Sequence, residues 1–553
     1  MSLTEGERKM KERVYLAIAF VGLIFISMFG ALTTKAAFKG TITVGIIGPV
    51  GLPHWEPAGM QPAAQMAADE INAAGGVALA DGNYQIVLKF GDEHAYPVPP
   101  DPAAAASEVE RLISVEGCEF LIGGFRTETT TTMIAKAMDF GVPMFINGAA
   151  TNELISSYVN KSNPTLYNRY KYLFRVNPTN STTLGTTIGA SIQYLLATKF
   201  VKLFGHPMTS PYYAPPIPPG AIPGFPNGLP EINVTTGVQV KVAVLTENLA
   251  WTAGTHAAFT NPAIYPRIFG PYVNVTYAAR ITDGETDCSS FLQGVKDNNC
   301  RIMIHIFSGP TGDPLISQWR SMNVSALPVG ISVFGQTEDH YDKTAGACEY
   351  ETFTIGCGTR TPLVPGVTTV FWDKFVNKTG QWPIYTAFGA YDAMYTLANG
   401  LKGIGSKDKD QLVTYFEDPA FLAESASGLG HFKFDSIHDV FSNESSLFWK
   451  SGYVRTRMAQ WQAQRIEIVM PVDATYTKKF AVPPFMYPLK TDINYDGKTD
   501  IVDIASAAKA YATKPGDPRW DKEADVDFNG QINIIDLAKI AKDFGKKITL
   551  PLP

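Results

Sequence analysis

Apolar residues recur along the chain at two alternating periods. TITVGIIG (41–48) is a β-rich apolar run. From Met60 to Ala74 the period becomes helical, with Met60, Ala64, Ala67 and Ile71 on one face and Gly75-Gly76 as the stop. YQIVLKF (84–90) predicts a strand. Asp101-Pro102 predicts a helix start, with Asp as N-cap and Pro in the first turn. Val109, Leu112 and Ile113 supply that helix's apolar face. FLIGG (120–124) predicts a strand, Thr127 to Phe140 a helix closed by Gly141, and VPMFING (142–148) a further strand. This βαβαβαβ order predicts a parallel sheet covered on both faces.

The pattern returns further on. QVKVAVL (239–245), VTYAARI (275–281), RIMIHIF (301–307) and PVGISVF (328–334) predict strands, with helical stretches after Asp287 and Asp313. Between the two units, residues 210–230 hold eight prolines and three glycines. That composition predicts an exposed, extended insertion that builds no strand ladder. Two α/β lobes joined by a crossing chain predict a cleft between them. In open α/β sheets ligands sit beyond the carboxyl ends of the strands, so the loops that follow each strand carry the candidate chemistry.

At the N-terminus, Arg8, Lys9, Lys11 and Arg13 precede an uncharged apolar run from Val14 to Leu32, followed by Lys35 and the small pair Ala36-Ala37. The expectation is a targeting or anchoring helix over 1–38. It reads either as a cleaved export signal or as a retained anchor with its basic end inside. Seven N-x-S/T triplets, starting at Asn160, Asn180, Asn233, Asn274, Asn323, Asn377 and Asn443, agree with an exported protein. The 553 residues leave room for about three or four domains. With 45% hydrophobic and 18% charged residues the chain is expected to fold, and a net charge of −6 argues against a nucleic-acid partner. Cysteine is sparse and odd in number: Cys118, Cys288, Cys300, Cys348 and Cys357. No C-x-x-C occurs. Cys348 and Cys357 are close enough in sequence to admit one disulfide, whereas Cys288 and Cys300 flank a helix that holds them apart.

The run GIIGPVGLPHWEPAGMQPAAQMAADEINAAGGV (45–77) is similar to the start of type I periplasmic solute-binding proteins of the branched-chain amino-acid family. FLIGGFRTETTTTMIAKAMDFGVPMFINGAATNEL (120–154), LFRVNPTNS (173–181), TDCSSFLQGVKDN (286–298), TAFGAYDAMYTLANGL (386–401) and GLGHFKFD (428–435) follow in the family's order. The resemblance implies an α/β fold of two Rossmann-like lobes, a Venus flytrap. One lobe would hold 41–176 plus 335–425, the other 177–334 plus 426–475, with a linker at 476–490. It further implies capture of a small polar solute of the amino-acid or amide type, with an ABC permease in the membrane as partner.

Thr127 and Thr129 open the helix after FLIGG, where N–H groups and hydroxyls can receive a carboxylate. The family resemblance adds Ala150 and Thr151 to that carboxylate site. Helix capping is the plain alternative for the threonines. Trp55 and Trp251, one in each lobe, could sandwich an apolar body. Arg126 falls at the same cleft by position and would favour an additional anionic group. The family's ammonium-binding acid is expected near Thr311, where this chain has none. Asp313 is the nearest acid, and Glu338 at a lobe crossover is a second candidate. His94 with Asp92 and Glu93 reads as ordinary surface or cleft rim.

The C-terminal stretch carries the sharper motif. DINYDGKTDIVD (492–503) and DVDFNGQINIID (525–536) are 12-residue loops set 33 residues apart. Asp492, Asn494, Asp496, Lys498 (through its carbonyl) and Asp503 place oxygens at alternating positions around a sharp turn at Gly497. Asp525, Asp527, Asn529, Gln531 and Asp536 repeat the scheme around Gly530. Such a set wraps a hard cation, so two Ca2+ sites are expected, with Asp500 and Asn533 able to bind through water. A helix follows each loop. The arrangement over 491–547 resembles a type I dockerin, a small α-helical calcium module, which implies a cohesin-like or other surface partner. The family reads loop positions 10 and 11, here the apolar pairs Ile501-Val502 and Ile534-Ile535. No H-E-x-x-H, G-x-S-x-G or P-loop motif occurs, so no enzyme is expected. The leading expectation is an extracytoplasmic solute receptor of an ABC importer, and the alternative is a structural or assembly protein of the cell surface that uses the lobes as a scaffold.

Overall fold

A computed structural model describes residues 38–51, 59–96, 99–196, 210–214, 232–236, 240–270, 273–440, 452–470, 477–483, 489–493, 498–527 and 529–547. The apolar run 14–32, Trp55, Asn443, Asn494 and Asp496 lie outside the described residues. Among the described residues no helix is long and apolar enough to cross a membrane.

The first lobe is built on β1 (Gly40–Gly48), β2 (Val77–Leu79), β3 (Gly82–Asp92), β4 (Phe120–Gly123), β5 (Met144–Ile146) and β6 (Leu173–Arg175), in the spatial order β2-β3-β1-β4-β5-β6. Only the β2–β3 pair is antiparallel. Alternate residues of these strands feed opposite apolar layers. Ile46 and Ile122 join a cluster with the helix Met60–Ala73, while Ile47 and Leu121 join one with the helices Pro102–Ser114 and Thr127–Asp139. Burial on both faces explains why the strands read as continuous apolar runs.

β7 (Ser210–Ala214) and β8 (Ile232–Thr236) form an antiparallel pair inside the proline-rich insertion. This corrects the expectation that the segment builds no ladder. The prolines crowd into 215–230, between the paired segments, and Pro211 is tolerated because both strands of a two-stranded sheet are edges.

The second lobe carries β9 (Val240–Glu247), β10 (Val273–Ile281), β11 (Ile302–Phe307), β12 (Leu327–Ser332) and β13 (Thr352–Ile355). A short pair, β14 (Ala423–Glu424) with β15 (His431–Phe432), stands apart. β16 (Arg457–Gln462) and β17 (Arg465–Met470) complete the large sheet, in the order β10-β9-β11-β12-β13-β16-β17. The last two pairings of that sheet are antiparallel. β13 lies in the stretch assigned to the first lobe, yet it pairs with β12 and β16 of the second. The chain then returns: the helices Thr368–Thr379 and Tyr385–Ile404 pack on the helix Met60–Ala73 of the first lobe. His438 accepts from Arg175 N at the β6 edge (3.0 Å), so 435–439 also adjoins the first lobe.

All five cysteines are free and buried, which removes the Cys348–Cys357 disulfide. Both thiols sit in the large apolar cluster, where burial raises their pKa and, at Cys348, Glu351 and Glu349 add to it.

At the C-terminus the helices Ile501–Lys509 and Ile534–Lys542 enclose a small core of Ile493, Ala507, Ala510, Ala524, Val526, Ile532 and Ile540. The chain ends of this module are clasped: Thr499 N donates to Lys546 O (2.9 Å) and Gly545 N to Thr499 O (2.8 Å).

Candidate functional site

In both sheets the strand order reverses beside the first strand, so each lobe has one switch point: β1 beside β4, and β9 beside β11. At such a point the loops diverge and leave a crevice beyond the strand ends. The residues that follow these strands meet across the lobes. Phe125 and Arg126 follow β4, and Ser308 follows β11. They line one interlobe cavity with Gly148, Ala150 and Tyr385, and with Thr179, Trp251, Val333 and Thr354. Its free volume is small, about 30 Å³, and residues of the two lobes meet beside it.

Gly123 sets the geometry of the first-lobe rim. Its φ is 149°, and a Cβ there would lie 1.8 Å from Ile47 O. Only glycine lets the end of β4 press so close to β1 before the chain turns into the helix Thr127–Asp139. No side chain caps that helix. Thr127 Oγ1 instead lies 2.5 Å from Thr151 Oγ1, and Thr129 Oγ1 donates to Glu93 Oε1 at 3.1 Å. Of the residues marked by sequence, Arg126, Ala150 and Trp251 line the cavity. Thr127, Thr129 and Thr151 do not line it. Asp313 and Glu338 do not line it. Asp313 Oδ1 bonds His340 Nδ1 (2.8 Å), and Glu338 accepts from Trp382 N (3.0 Å).

Arg126 is the centre of charge. It is 1% exposed, and its Nη2 donates to Asp283 Oδ2 of the second lobe at 2.7 Å and to the Tyr96 hydroxyl. Its guanidinium carbon lies 4.4 Å from the centre of the Tyr96 ring. A second bond crosses the lobes nearby, from Ala250 N to Glu128 Oε1 (2.8 Å). Two buried acids frame Arg126. Glu93 accepts from Phe125 N (2.7 Å), Arg126 N (2.9 Å) and Thr129, and burial pushes its carboxyl up to about 7. Glu247, the last residue of β9, accepts from Trp251 Nε1, Ser308 Oγ and Gly309 N (3.1 Å). Burial pushes it up to about 7 as well, against the pull of Arg126.

Sequence reasoning missed Glu93 as an interior residue, and it missed Tyr96, Glu247, Asp283, Thr179, Thr354 and Tyr385 altogether. Glu247 carried a readable signal, since an acid closing an apolar strand sits at the carboxyl end where ligands bind. Asp283 carried none, because its partner lies 157 residues away.

In the tail, Asp525, Asp527 and Asp536 bring carboxylate oxygens within 4.8 Å of one another. Gly530 makes the sharp turn at φ 78°, and its N–H donates to Asp525 Oδ2 (2.9 Å). Burial raises the Asp525 pKa, and the neighbouring Asp536 and Asp527 carboxylates add to that. Three converging carboxylates that repel one another fit a hard divalent cation. In the first loop Asp492 and Asp503 are buried, and Asp503 accepts from Ile493 N and Asp500 N, both at 2.7 Å.

These features define a two-lobed α/β binding protein with a small module of two acidic loops and two helices. The periplasmic binding protein family model matches residues 41–435 and the dockerin type I model residues 490–544. The chain belongs to the periplasmic binding protein family and ends in a dockerin module. Solved structures of the same fold include the branched-chain amino-acid transporter binding protein LivJ from Streptococcus pneumoniae in complex with isoleucine. It shows 20% identity over 78% of this chain and all of that one, with a TM-score of 0.54. The leucine-binding protein LivK from Thermotoga maritima shows 15% identity over 77% and 97%, TM-score 0.52. A solute-binding protein from R. palustris in complex with benzoate shows 15% over 78% and 96%, TM-score 0.53. Among curated proteins none matches significantly.

Proposed function

We propose that the chain is the extracytoplasmic receptor of an ABC importer, closing two lobes on a small solute and handing it to a membrane permease. The observation that carries this reading is the cavity itself. The switch points of both sheets open onto it, and it is walled by apolar groups around one buried cation. Similar folds hold isoleucine in one case and benzoate in another, so the side chains of the cavity must choose the cargo. Closure follows from differential affinity, because a solute that touches both lobes stabilises the form in which they meet.

The tail binds two calcium ions, one in each loop, and docks the receptor through Ile501-Val502 and Ile534-Ile535. These four side chains are 49–65% exposed on the first turns of the two helices, and exposed apolar pairs of this kind suit an apolar patch on a surface partner. The reading as a surface scaffold draws on the little free room in the cavity. A thermal-shift screen with amino acids, amides and short carboxylic acids separates the two. A solute that binds only the folded lobes raises their melting temperature, by an amount that grows with its concentration. A flat response to every class at millimolar concentration refutes the receptor reading and favours the scaffold.

A further inference from the structure

The guanidinium of Arg126 has five N–H donors. Nη2 serves Tyr96 and Asp283, while Nε and Nη1, with three N–H bonds between them, are buried and have no partner. Two more cavity-lining groups are in the same state: the hydroxyls of Thr179 and Thr354 are buried and unpartnered. Buried polar groups in folded proteins are almost always paired, so this cluster of orphans marks a place where a further acceptor belongs. The surrounding acids do not supply it: Asp283 meets Nη2 through Oδ2, its Oδ1 is itself buried without a partner, and it does not line the cavity. Glu93 and Glu247 each already receive three donors and turn their oxygens away into those bonds. Among the described residues no carboxylate lines the cavity, whereas Phe125, Leu184, Trp251, Ile331, Val333 and Tyr385 do.

We infer that the solute is a small organic monocarboxylate with an apolar body and no ammonium group, its carboxylate held by Arg126 Nε and Nη1 and by the hydroxyls of Thr179 and Thr354. This assignment rests on the receptor reading above and narrows it. An α-amino acid would bring an ammonium into a cavity whose described walls offer it no anionic acceptor. A buried charge without a partner is expensive, so the amine counts against binding rather than for it. An amide would present only a neutral acceptor to the guanidinium, and would forgo the stronger charge-assisted bonds.

The test uses the full-length chain and matched probes: 4-methylpentanoate against leucine, and benzoate against benzamide and phenylalanine. Affinities are read by calorimetry and by the intrinsic tryptophan fluorescence of the chain. At least one of the two carboxylates is expected to bind, and to bind about 10- to 100-fold more tightly than its amino-acid counterpart, the range set by leaving a buried charged group unpaired. Arg126→Gln is expected to lower carboxylate affinity by about 30-fold or more, from the loss of charge-assisted bonds. Because that variant also loses the Asp283 pair, Thr354→Val is measured beside it. Exchanging an unpartnered buried hydroxyl for a methyl leaves the ligand-free melting temperature unchanged or raised, yet costs about 5- to 10-fold in carboxylate affinity. Leucine or phenylalanine binding as tightly as the carboxylates overturns this assignment and leaves the receptor reading intact. So does carboxylate affinity indifferent to both substitutions. No binding by any probe overturns both.

Discussion

Asp283→Ala removes one half of a charge pair that spans the two lobes. The N–O distance is 2.7 Å and both side chains are 1% exposed. Deleting one partner of such a pair leaves the other charge buried, which typically costs about 3–5 kcal/mol. Here the cost has an escape. Arg126 belongs to the first lobe and Asp283 to the second, so parting the lobes returns the guanidinium to water. The penalty therefore falls on the closed form and not on the folding of either lobe. At about 1.4 kcal/mol per tenfold, the open-to-closed ratio rises by roughly a hundred- to few-thousand-fold. Small-angle scattering of the ligand-free variant is expected to show a larger radius of gyration than the parent protein. Apparent affinity for any solute falls with the closed fraction. The melting temperature falls little, because the open form no longer carries the unpaired charge. Replacing both partners with leucine removes the buried charge altogether and is expected to restore the closed scattering profile. Scattering identical to the parent, together with a melting temperature lowered by many degrees, refutes the argument. That outcome would place the whole cost in folding.

Two further outcomes follow from other parts of the molecule. Chelation of calcium should unfold the tail and leave the lobes intact, since Asp525, Asp527 and Asp536 repel one another beside a core that holds seven buried apolar residues among those described. Calorimetry of the full chain with and without chelator should lose one low-enthalpy transition, and an unchanged trace would exclude metal as a source of tail stability. The second concerns pH. His340 is fully buried. Burial pushes its pKa down, but the carboxylates of Glu351 (2.6 Å) and Asp313 (2.8 Å) outweigh that and raise it to about 9. Burial pushes Glu351 up, but His340 and His305 outweigh it and hold it at about 2. A raised histidine contributes stability that is complete below its ordinary value near 6.5 and is lost as pH rises through 9. A depressed glutamate contributes stability that is complete above its ordinary value near 4.5 and is lost as pH falls toward 2. Glu93 and Glu247, raised to about 7, are most stabilising while protonated and lose that contribution between about 4.5 and 7. The melting temperature should therefore be highest near pH 4.5, fall as Glu93 and Glu247 lose their contribution toward pH 7, and fall further toward pH 9 as His340 loses its own. His340→Gln should flatten the fall above pH 6.5, and an equal slope in that variant would dismiss the histidine as its source.

The alternation of strands and helices was legible because each strand is buried on both faces and so shows as an unbroken apolar run. Ile46 and Ile47 are both fully buried although they face opposite layers. The tail module was legible because its loops are local: all twelve positions of a loop lie in one stretch, and the dockerin model matches 490–544. The cavity was only half legible for the converse reason. Position after a strand located Arg126 and Trp251, since the end of a strand fixes where the next residues stand, and the family resemblance located Ala150. What those residues meet is set by the other lobe. The threonines of the helix Thr127–Asp139 illustrate the limit. Their type and place fit a carboxylate site or a helix cap, and the structure shows no side-chain cap there. Thr127 turns to Thr151 and Thr129 to Glu93. The acid sought near Thr311 failed in the same way. Asp313 was chosen for its distance along the chain, but His340 claims it from an element that no spacing rule connects to it. The pairing of Arg126 with Asp283 joins residues 157 positions apart, and it exists only while two separately folded sheets are pressed together. A property of the closed pair cannot be written in the local pattern of either half, and in a two-lobed binding protein the ligand contacts are properties of the closed pair.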